Sequence, residues 1–204
     1  MANQDRDLLR LRVELENIHP PIWRELLVPA RFSFWDLHAA IQDSMGWWDT
    51  HPHDFRIADT LGGEDKRFGI PDEEWGFGDE SQVAAGWEHR VIDHLDTPGD
   101  RALYSYDYGD GWEHRVTLLG IEARSKGQRY PQCVAGERAC PPEDCGGPPG
   151  YAHLLEVFSN PEDPEHDDMQ AWLSNGFDPE HFDPKALRFT QPTRRLRQLL
   201  GVDD

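Results

Sequence analysis

Hydrophobic and polar residues alternate strictly in the segment LLRLRVELE, at residues 8–16. A period of two predicts a strand with one buried face and one face in water, as in an antiparallel sheet. A second strand is predicted at about 22–28 and ends before Pro29. The apolar set is Leu9, Leu11, Val13 and Leu15, and the charged set is Arg10, Arg12, Glu14 and Glu16.

Residues 33–47 change to a helical period. Ser33 is a residue type that caps helices, and Asp36 three positions later completes a pattern like a capping box. Gly46 is a typical helix end. The predicted apolar face consists of Phe34, Leu37, Ile41 and Met45.

The remaining pattern is strand, loop, hairpin, loop and helices. Residues 59–88 are rich in Gly, Asp and Glu, and we predict a long acidic loop there, pinned by Phe68, Trp75 and Phe77. A second loop, rich in Pro and Gly, is predicted at 130–150. The other predicted elements are a strand at 53–58, a short connecting element at 89–95, a hairpin at about 103–122, and helices at about 150–159, 167–175 and 184–200.

This order of elements predicts an α+β protein with a mainly antiparallel sheet. One helix follows the second strand, and the C-terminal helices pack on the sheet. The chain has 204 residues, which suits one domain over residues 1–204 with its core at about 8–200.

The net charge changes the range of possible partners. The chain has 39 acidic and 20 basic residues, for a formal charge of −19, and its only lysines are Lys66, Lys126 and Lys185. This charge opposes direct, non-specific binding to nucleic-acid phosphates and docking on anionic membranes. It is typical of a protein in a salt-rich cytoplasm, and a binder of basic partners is the alternative.

The sequence predicts a cytoplasmic protein. The N-terminus has no apolar run of signal-peptide length, and no segment has the length and apolar character of a membrane helix. Three cysteines are an odd number for a disulfide framework, which agrees with a reducing compartment.

The segment GWEHRV occurs twice, at 86–91 and 111–116. The flanking residues of the two copies share no hydrophobic spacing, so we interpret the repeat as coincidence. The second copy follows Asp110-Gly111, a favoured two-residue hairpin turn. A turn at Gly109-Asp110 is the alternative. Both turns place Asp107 and His114 on one face of the hairpin, together with Trp112 and Val116.

Asp107 and His114 are therefore a candidate cross-strand pair. In one interpretation the carboxylate orients the imidazole for acid–base catalysis or metal ligation. In the other, His114 is a half-buried histidine satisfied by a neighbouring acid.

All three cysteines lie in one loop, at Cys133, Cys140 and Cys145. With one histidine they would complete a tetrahedral zinc site, and His114, His53 and His153 are the candidates for that ligand. The spacing lacks the paired C-x2-C of zinc ribbons, so buried small hydrophobic residues are the alternative.

Two further features of the chain bear on metal ligation and on helix capping. His51 and His53 form an H-x-H pair that could bind a metal from a strand, although Pro52 makes that geometry doubtful. Glu143 and Asp144 are candidate catalytic carboxylates, or they cap the helix that begins near Gly150.

Several blocks resemble the plasmid pRiA4b ORF-3-like family. They are PPIWRELLVP, LHAAIQDSMGWWDTHPHDF, YDYGDGWEHRV, CPPEDCGGPPGY and FDPKALRF, and the resemblance extends from about Leu9 to Leu200. This family has no established biochemical activity, so the resemblance does not indicate what the protein does. The family often has His-Leu-His where this chain has His51-Pro52-His53, and the acidic loop is longer than expected. The motif positions are Trp23, Arg24, Gly46, Trp47, His51, His53, Phe55, Tyr106, Asp107, Gly109, Asp110, Trp112, His114, Pro142, Glu143, Asp144, Gly146, Gly147 and Tyr151.

Two functions remain open at this point. The first is a non-catalytic binding module for a protein or nucleic-acid-associated partner in a mobile-element or regulatory setting, with Trp47, Tyr106, Tyr108 and Trp112 as candidate binding aromatics. The second is a metal-dependent hydrolase or nuclease-like enzyme that uses His53, Asp107 and His114, with Glu143, Asp144 or the cysteines. Convergence of His53, Asp107 and His114 on the 140–147 loop would favour the enzyme.

Overall fold

The computed structural model describes residues 7–59, 62–71, 83–173 and 176–202. Its centre is one eight-stranded sheet in the order β5-β4-β3-β6-β7-β1-β2-β8. The strands are β1 (Asp7–Leu15), β2 (Trp23–Pro29), β3 (His53–Ile57), β4 (Lys66–Gly69), β5 (Val83–Ala85), β6 (Arg101–Tyr106), β7 (Trp112–Ala123) and β8 (Gln132–Glu137).

Helices follow β2 and β8 in the chain. The pairs of neighbouring strands are antiparallel, except that β4 and β5 are parallel. The α+β prediction with a mainly antiparallel sheet is therefore confirmed. The helices are α1 (Phe34–Met45), α2 (Gly147–Ser159), α3 (His166–Trp172) and α4 (Pro192–Leu199), with a 3-10 turn at Val91–Asp93. In the part of the chain that the structure describes, no helix has the length and apolar character needed to cross a bilayer.

The first strand and the first helix form as the pattern predicts. Leu9, Leu11 and Val13 in β1 are fully buried, since β1 lies between β2 and β7 near the middle of the sheet. Ser33 and Asp36 form the predicted capping box at the start of α1. Gly46 ends the helix with φ +81°, a left-handed conformation that glycine adopts without steric cost.

The predicted acidic loop 59–88 is wrong in part, because it contains β4 and β5. Phe68 in β4 is buried and stacks on Phe34 of α1, with ring centroids 4.4 Å apart. These strands have only four and three residues, so too few residues alternate to give a sequence pattern. Trp75 and Phe77 lie outside the described residues.

The loop predicted at 130–150 is also wrong in part, because β8 pairs with β2 at the other sheet edge. The helix predicted at 184–200 is shorter than expected and begins at Pro192, a favoured first residue of a helix. The other two C-terminal helices match their predicted positions, although α2 begins earlier, at Gly147.

The two-residue turn predicted at Asp110-Gly111 is wrong. Tyr106 pairs with Trp112, so residues 107–111 all belong to the connection between β6 and β7. Asp107 has φ +53°, and its carboxylate Oδ1 accepts hydrogen bonds from the N–H groups of Gly109 (3.0 Å) and Asp110 (3.2 Å). Aspartate tolerates this conformation and builds such wider turns with its own side chain.

Candidate functional site

Three segments meet at the end of the β6–β7 hairpin: residues 47–53 after α1, the 107–111 connection, and residues 140–147 before α2. His51 joins them, because its Nε2 lies 3.1 Å from Asp144 Oδ1 and 3.6 Å from Asp107 Oδ2. Asp110 Oδ2 accepts a hydrogen bond from the Gly146 N–H at 3.1 Å. The ligand atoms of His51, Asp107 and Asp144 all lie within 4.8 Å of one another, and we name these residues the His51 cluster.

Glu143 lies beside this cluster and binds the segment after α1 and the end of β6. Its Oε1 accepts hydrogen bonds from the Trp48 N–H (2.6 Å) and the Tyr106 O–H (3.0 Å). Burial raises the pKa of Glu143 above its ordinary value, although both hydrogen bonds oppose that rise. Glu143 is thus a buried carboxyl group directly behind an exposed one, that of Asp144.

The segment before α2 requires glycine at position 147. Gly147 has φ +67°, and a Cβ there would lie 2.0 Å from the backbone oxygen of Asp110. Any side chain would therefore push the 140–147 segment away from the hairpin connection.

A second polar cluster lies deeper, between α1 and β3. His38 of α1 is fully buried, and its Nε2 lies 2.6 Å from Asp49 Oδ1. Its Nδ1 lies 2.8 Å from the Tyr104 hydroxyl, which also accepts a hydrogen bond from Gln42 Nε2 at 3.0 Å. Burial raises the pKa of Tyr104 well above its ordinary value, so the phenol keeps its proton.

His53 completes this second cluster. Its ring stacks on that of His38, with centroids 3.4 Å apart and planes 4° from parallel. Burial, together with the neighbouring His38, lowers the pKa of His53 well below its ordinary value, so its imidazole is neutral. The ligand atoms of His38, Asp49 and His53 lie within 4.8 Å of one another. We name these residues the His38 cluster.

Asp49 connects the His38 cluster to the C-terminal helix. Its Oδ2 accepts a hydrogen bond from Arg195 Nη1 of α4 at 3.1 Å. Burial raises the pKa of Asp49, but the hydrogen bond and charge of His38 and the charge of Arg195 outweigh it and hold that pKa below its ordinary value. The carboxylate is therefore ionised at neutral pH.

Two grooves flank Trp48, whose side chain is 73% exposed. The His51 groove has a volume of about 530 Å³, and its walls include Trp35, Asp49, His51 and Arg195. The Cys140 groove has a volume of about 720 Å³, and its walls include Cys140, Glu143, Asp144 and Trp172. Trp48 lines both grooves, so one exposed aromatic ring separates two concave surfaces, of which the Cys140 groove is acidic.

The predicted pair of Asp107 and His114 does not form. His114 lies opposite Tyr104 in the β6–β7 ladder, whereas Asp107 lies in the connection beyond it. Both His114 ring nitrogens are buried and have no hydrogen-bond partner among the described residues. Burial lowers the pKa of His114 to about 3, and its ring packs edge-on against Trp47 at 5.3 Å between centroids. The prediction placed His114 on the correct sheet face but gave it the wrong neighbour.

The described residues do not assemble the predicted zinc site of three cysteines and one histidine. Within the described ranges, groups of three or more His, Cys, Asp or Glu ligand atoms within 4.8 Å are the His38 and His51 clusters, and neither contains a cysteine. Neither contains both His51 and His53, so the H-x-H pair is divided between them. Burial raises the pKa of the Cys133 and Cys140 thiols and that of Cys145, the last to about 12. These thiols are therefore protonated at neutral pH.

Three of the four predicted binding aromatics belong to the core. Trp47, Tyr106 and Trp112 are buried, and Trp47 stacks on Tyr106 with centroids 5.0 Å apart. Tyr108 is 37% exposed, and its hydroxyl donates a hydrogen bond to Asp54 Oδ1 at 2.9 Å. Glu143 and Asp144 do not cap α2. The N-cap residue is Gly146, and no side chain accepts a hydrogen bond from the first N–H groups of the helix.

Sequence reasoning missed His38, Asp49 and Trp48. His38 lies four residues after Phe34 and therefore on the apolar face of α1, where a histidine needs a partner. That position was a usable signal. Asp49 and Trp48 gave none, because their roles depend on how the segment after α1 crosses the sheet.

The fold defines an α+β protein in which polar clusters gather where three loops meet at one end of an antiparallel sheet. The chain belongs to the plasmid pRiA4b ORF-3-like protein family, whose model matches residues 7–186. It is 31% identical over 192 residues to the uncharacterised protein y4hQ of Sinorhizobium fredii, covering 94% of this chain and 92% of that one. It also resembles the crystal structure of MM3350, a protein of unknown function from Methanosarcina mazei Go1. That match has a TM-score of 0.80 and 37% identity, and it covers 90% of this chain and 99% of the other.

Proposed function

We propose that this protein is a binding module that holds a basic segment of a partner protein in the two grooves beside Trp48. The observation that carries this function is Trp48 itself, 73% exposed and lining both grooves. Exposed tryptophans that flank concave surfaces are typical anchors of protein interfaces.

The charge of the Cys140 groove and of the whole chain indicates the chemistry of the partner. Glu143 and Asp144 line one groove, and Asp49 lines the other beside Arg195. With a formal charge of −19 on the chain, a partner segment with Lys or Arg is attracted and nucleic acid is repelled. A cation can also lie over the Trp48 ring.

His53 and His114 support a binding module over an enzyme that uses them. Both side chains are buried, and they pack against Trp35 and Trp47 rather than lining a cleft with Asp107. A histidine without access to substrate does not transfer protons to it.

Selection of random peptides against the immobilised protein tests this function. We expect the enriched peptides to be rich in Lys or Arg, and their binding to weaken as salt rises. Trp48→Ala should weaken their binding by about tenfold or more, the effect of losing an interface anchor. Leu119→Ala is the matched control, since Leu119 is 41% exposed and lies on β7 outside both grooves. Peptides that bind wild-type protein and Trp48→Ala equally well would contradict the proposal.

The His51 cluster supports a second candidate function, a metal-dependent hydrolase. One imidazole and two carboxylates within 4.8 Å can hold a divalent ion that activates water. Glu143, with its raised pKa, lies behind this cluster as a candidate proton acceptor or donor.

Activity assays with chromogenic phosphate mono- and diesters and carboxylic esters test this second function. This second function predicts turnover only after Mg²⁺, Mn²⁺ or Zn²⁺ is added, and it predicts that Asp107→Asn loses that turnover. Asp110→Asn is the control, because Asp110 contacts the backbone of Gly146 and does not belong to the cluster. Equal rates in Asp107→Asn and wild-type protein would exclude hydrolysis at this cluster.

A further inference from the structure

The His38 cluster has a member that hydrogen bonding does not explain. A chain of hydrogen bonds from Tyr104 through His38 to Asp49 satisfies the polar atoms of those three side chains. His53 is 2% exposed, and its Nδ1 is buried without a hydrogen-bond partner among the described residues. An unpaired polar group in a protein interior costs stability unless another ligand occupies it.

The arrangement matches a known class of metal ligands. Two imidazoles and one carboxylate are the protein ligands of several zinc enzymes and of non-haem iron enzymes. We propose that His38, Asp49 and His53 bind one divalent transition-metal ion of the Zn²⁺ or Fe²⁺ class. This site shares no residue with the His51 cluster, and it borders the His51 groove through Asp49.

The distances permit this assignment once the His53 ring turns out of its stacked position, because an imidazole binds an ion in its own ring plane and the two rings are now parallel, 3.4 Å apart. Ligand atoms on one zinc ion lie about 3–3.5 Å apart, as follows from bond lengths near 2.0–2.2 Å. The three ligand atoms lie within 4.8 Å of one another, and His38 Nε2 and Asp49 Oδ1 are 2.6 Å apart. The latter two move apart by about half an ångström when an ion replaces the proton between them.

The surroundings hold both ligands in the orientation that a metal requires. When His38 Nε2 faces the ion, its Nδ1–H donates to the Tyr104 hydroxyl, which lies 2.8 Å away. Arg195 Nη1 holds the other oxygen of Asp49 at 3.1 Å. Outer hydrogen bonds of this kind fix the ligand tautomer and are typical of metal centres in proteins.

The His38 cluster lies directly beneath the wall of the His51 groove. Asp49 and Trp35 line the His51 groove, and the Trp35 ring lies 5.3 Å from the His38 ring and 5.8 Å from the His53 ring between centroids. Trp35 is 3% exposed, so its ring covers the two imidazoles and an ion reaches them from the groove only when that ring moves.

Metal uptake by tag-free full-length protein, stripped with a chelator and dialysed against Zn²⁺ or Co²⁺, tests the proposal. We expect roughly one ion per chain and a Co²⁺ spectrum with d–d bands but no thiolate charge-transfer band, since the ligands are nitrogen and oxygen. His53→Leu should weaken uptake by about tenfold or more, because it removes one ligand. His114→Leu and Asp107→Asn should take up the ion as wild-type protein does.

The two leucine variants make the test independent of a folding failure. His53 and His114 are both buried histidines with unpaired nitrogens, and only His53 belongs to the cluster. We expect Zn²⁺ to raise the Tm of wild-type protein and of His114→Leu, and to leave that of His53→Leu unchanged. No uptake by wild-type protein, uptake unchanged in His53→Leu, or loss of uptake in Asp107→Asn would each overturn the proposal. The last outcome would place the ion in the His51 cluster instead.

Discussion

Arg24→Met should lower the free energy of unfolding by at least about 3 kcal/mol, because four buried or partly buried carbonyl groups lose a charged donor together. The Arg24 guanidinium is 2% exposed and donates to the carbonyl oxygens of Trp23, Ser44, Glu137 and Arg138 at 2.8–3.0 Å. It also lies 3.7 Å from the centroid of the Phe182 ring. One side chain thus joins β2, the end of α1, β8 and the C-terminal region.

The planar shape of the guanidinium makes this role specific to arginine. Arg24→Lys keeps a positive charge but cannot point donors at four carbonyl groups in fixed directions. We therefore expect Arg24→Lys to destabilise nearly as much as Arg24→Met. Burial lowers the pKa of Arg24, yet an arginine keeps its charge at neutral pH.

Urea unfolding measures the Arg24 effect, as a decrease in the midpoint at a constant slope. Arg12→Met is the matched control, since Arg12 also lies over an aromatic ring, that of Trp23, at 4.0 Å. Its side chain is 31% exposed and pairs with Glu14 on the surface, so its loss should cost less than about 1 kcal/mol. Equal costs for Arg12→Met and Arg24→Met would show that the buried carbonyl contacts do not matter.

Acid should destabilise this protein through His114, and His114→Leu should remove that part of the effect. Folded His114 takes up a proton only near pH 3, whereas the same imidazole in the unfolded chain does so near 6.5. Between these values the unfolded state binds more protons, so the free energy of unfolding falls as the pH decreases. From pH 7 to pH 5 the contribution of His114 is about 2 kcal/mol.

His53 acts in the same direction, because burial also lowers its pKa. The difference in pH dependence between His114→Leu and wild-type protein gives the contribution of His114 alone, because His53 and the carboxylates are present in both. At pH 7 we expect the variant to be as stable as wild-type protein or more stable, since leucine leaves no unpaired nitrogen beside Trp47.

Urea midpoints between pH 5 and pH 8 measure this difference. The exposed His181 provides the control, and His181→Leu should keep the pH dependence of wild-type protein. If His114→Leu lost stability in acid as steeply as wild-type protein does, the buried imidazole would not be the cause.

Strong local signals predicted the centre of the fold correctly. The alternation in β1 and the capping box of α1 arise from residues adjacent in sequence, so the pattern is complete within each element. Strands β4, β5 and β8 were missed: β4 and β5 have only four and three residues, and β8 depends on pairing with β2, which lies far away in the sequence.

The candidate site was predictable only in part, for a related reason. Asp107, Glu143 and Asp144 were proposed as candidates, and the structure brings all three to the loops around His51. The error over His114 followed from one assumption about turn length, since a longer connection shifts the register of the whole ladder. The His38 cluster joins α1, the segment after it and β3, and a linear sequence does not give their separation in space.

The strand order determines when the sheet can assemble. During translation the hairpin of β1 and β2 is synthesised first. The strands that pair with its two edges, β7 and β8, follow much later, since Val13 pairs with Val116 and Trp23 with Glu137. Both edges of that hairpin therefore stay open until β7 and β8 have left the ribosome. Such distant pairing makes folding slow and exposes unpaired strands to aggregation during synthesis. The first hairpin therefore presents two unpaired strand edges for most of the time that the chain is being synthesised.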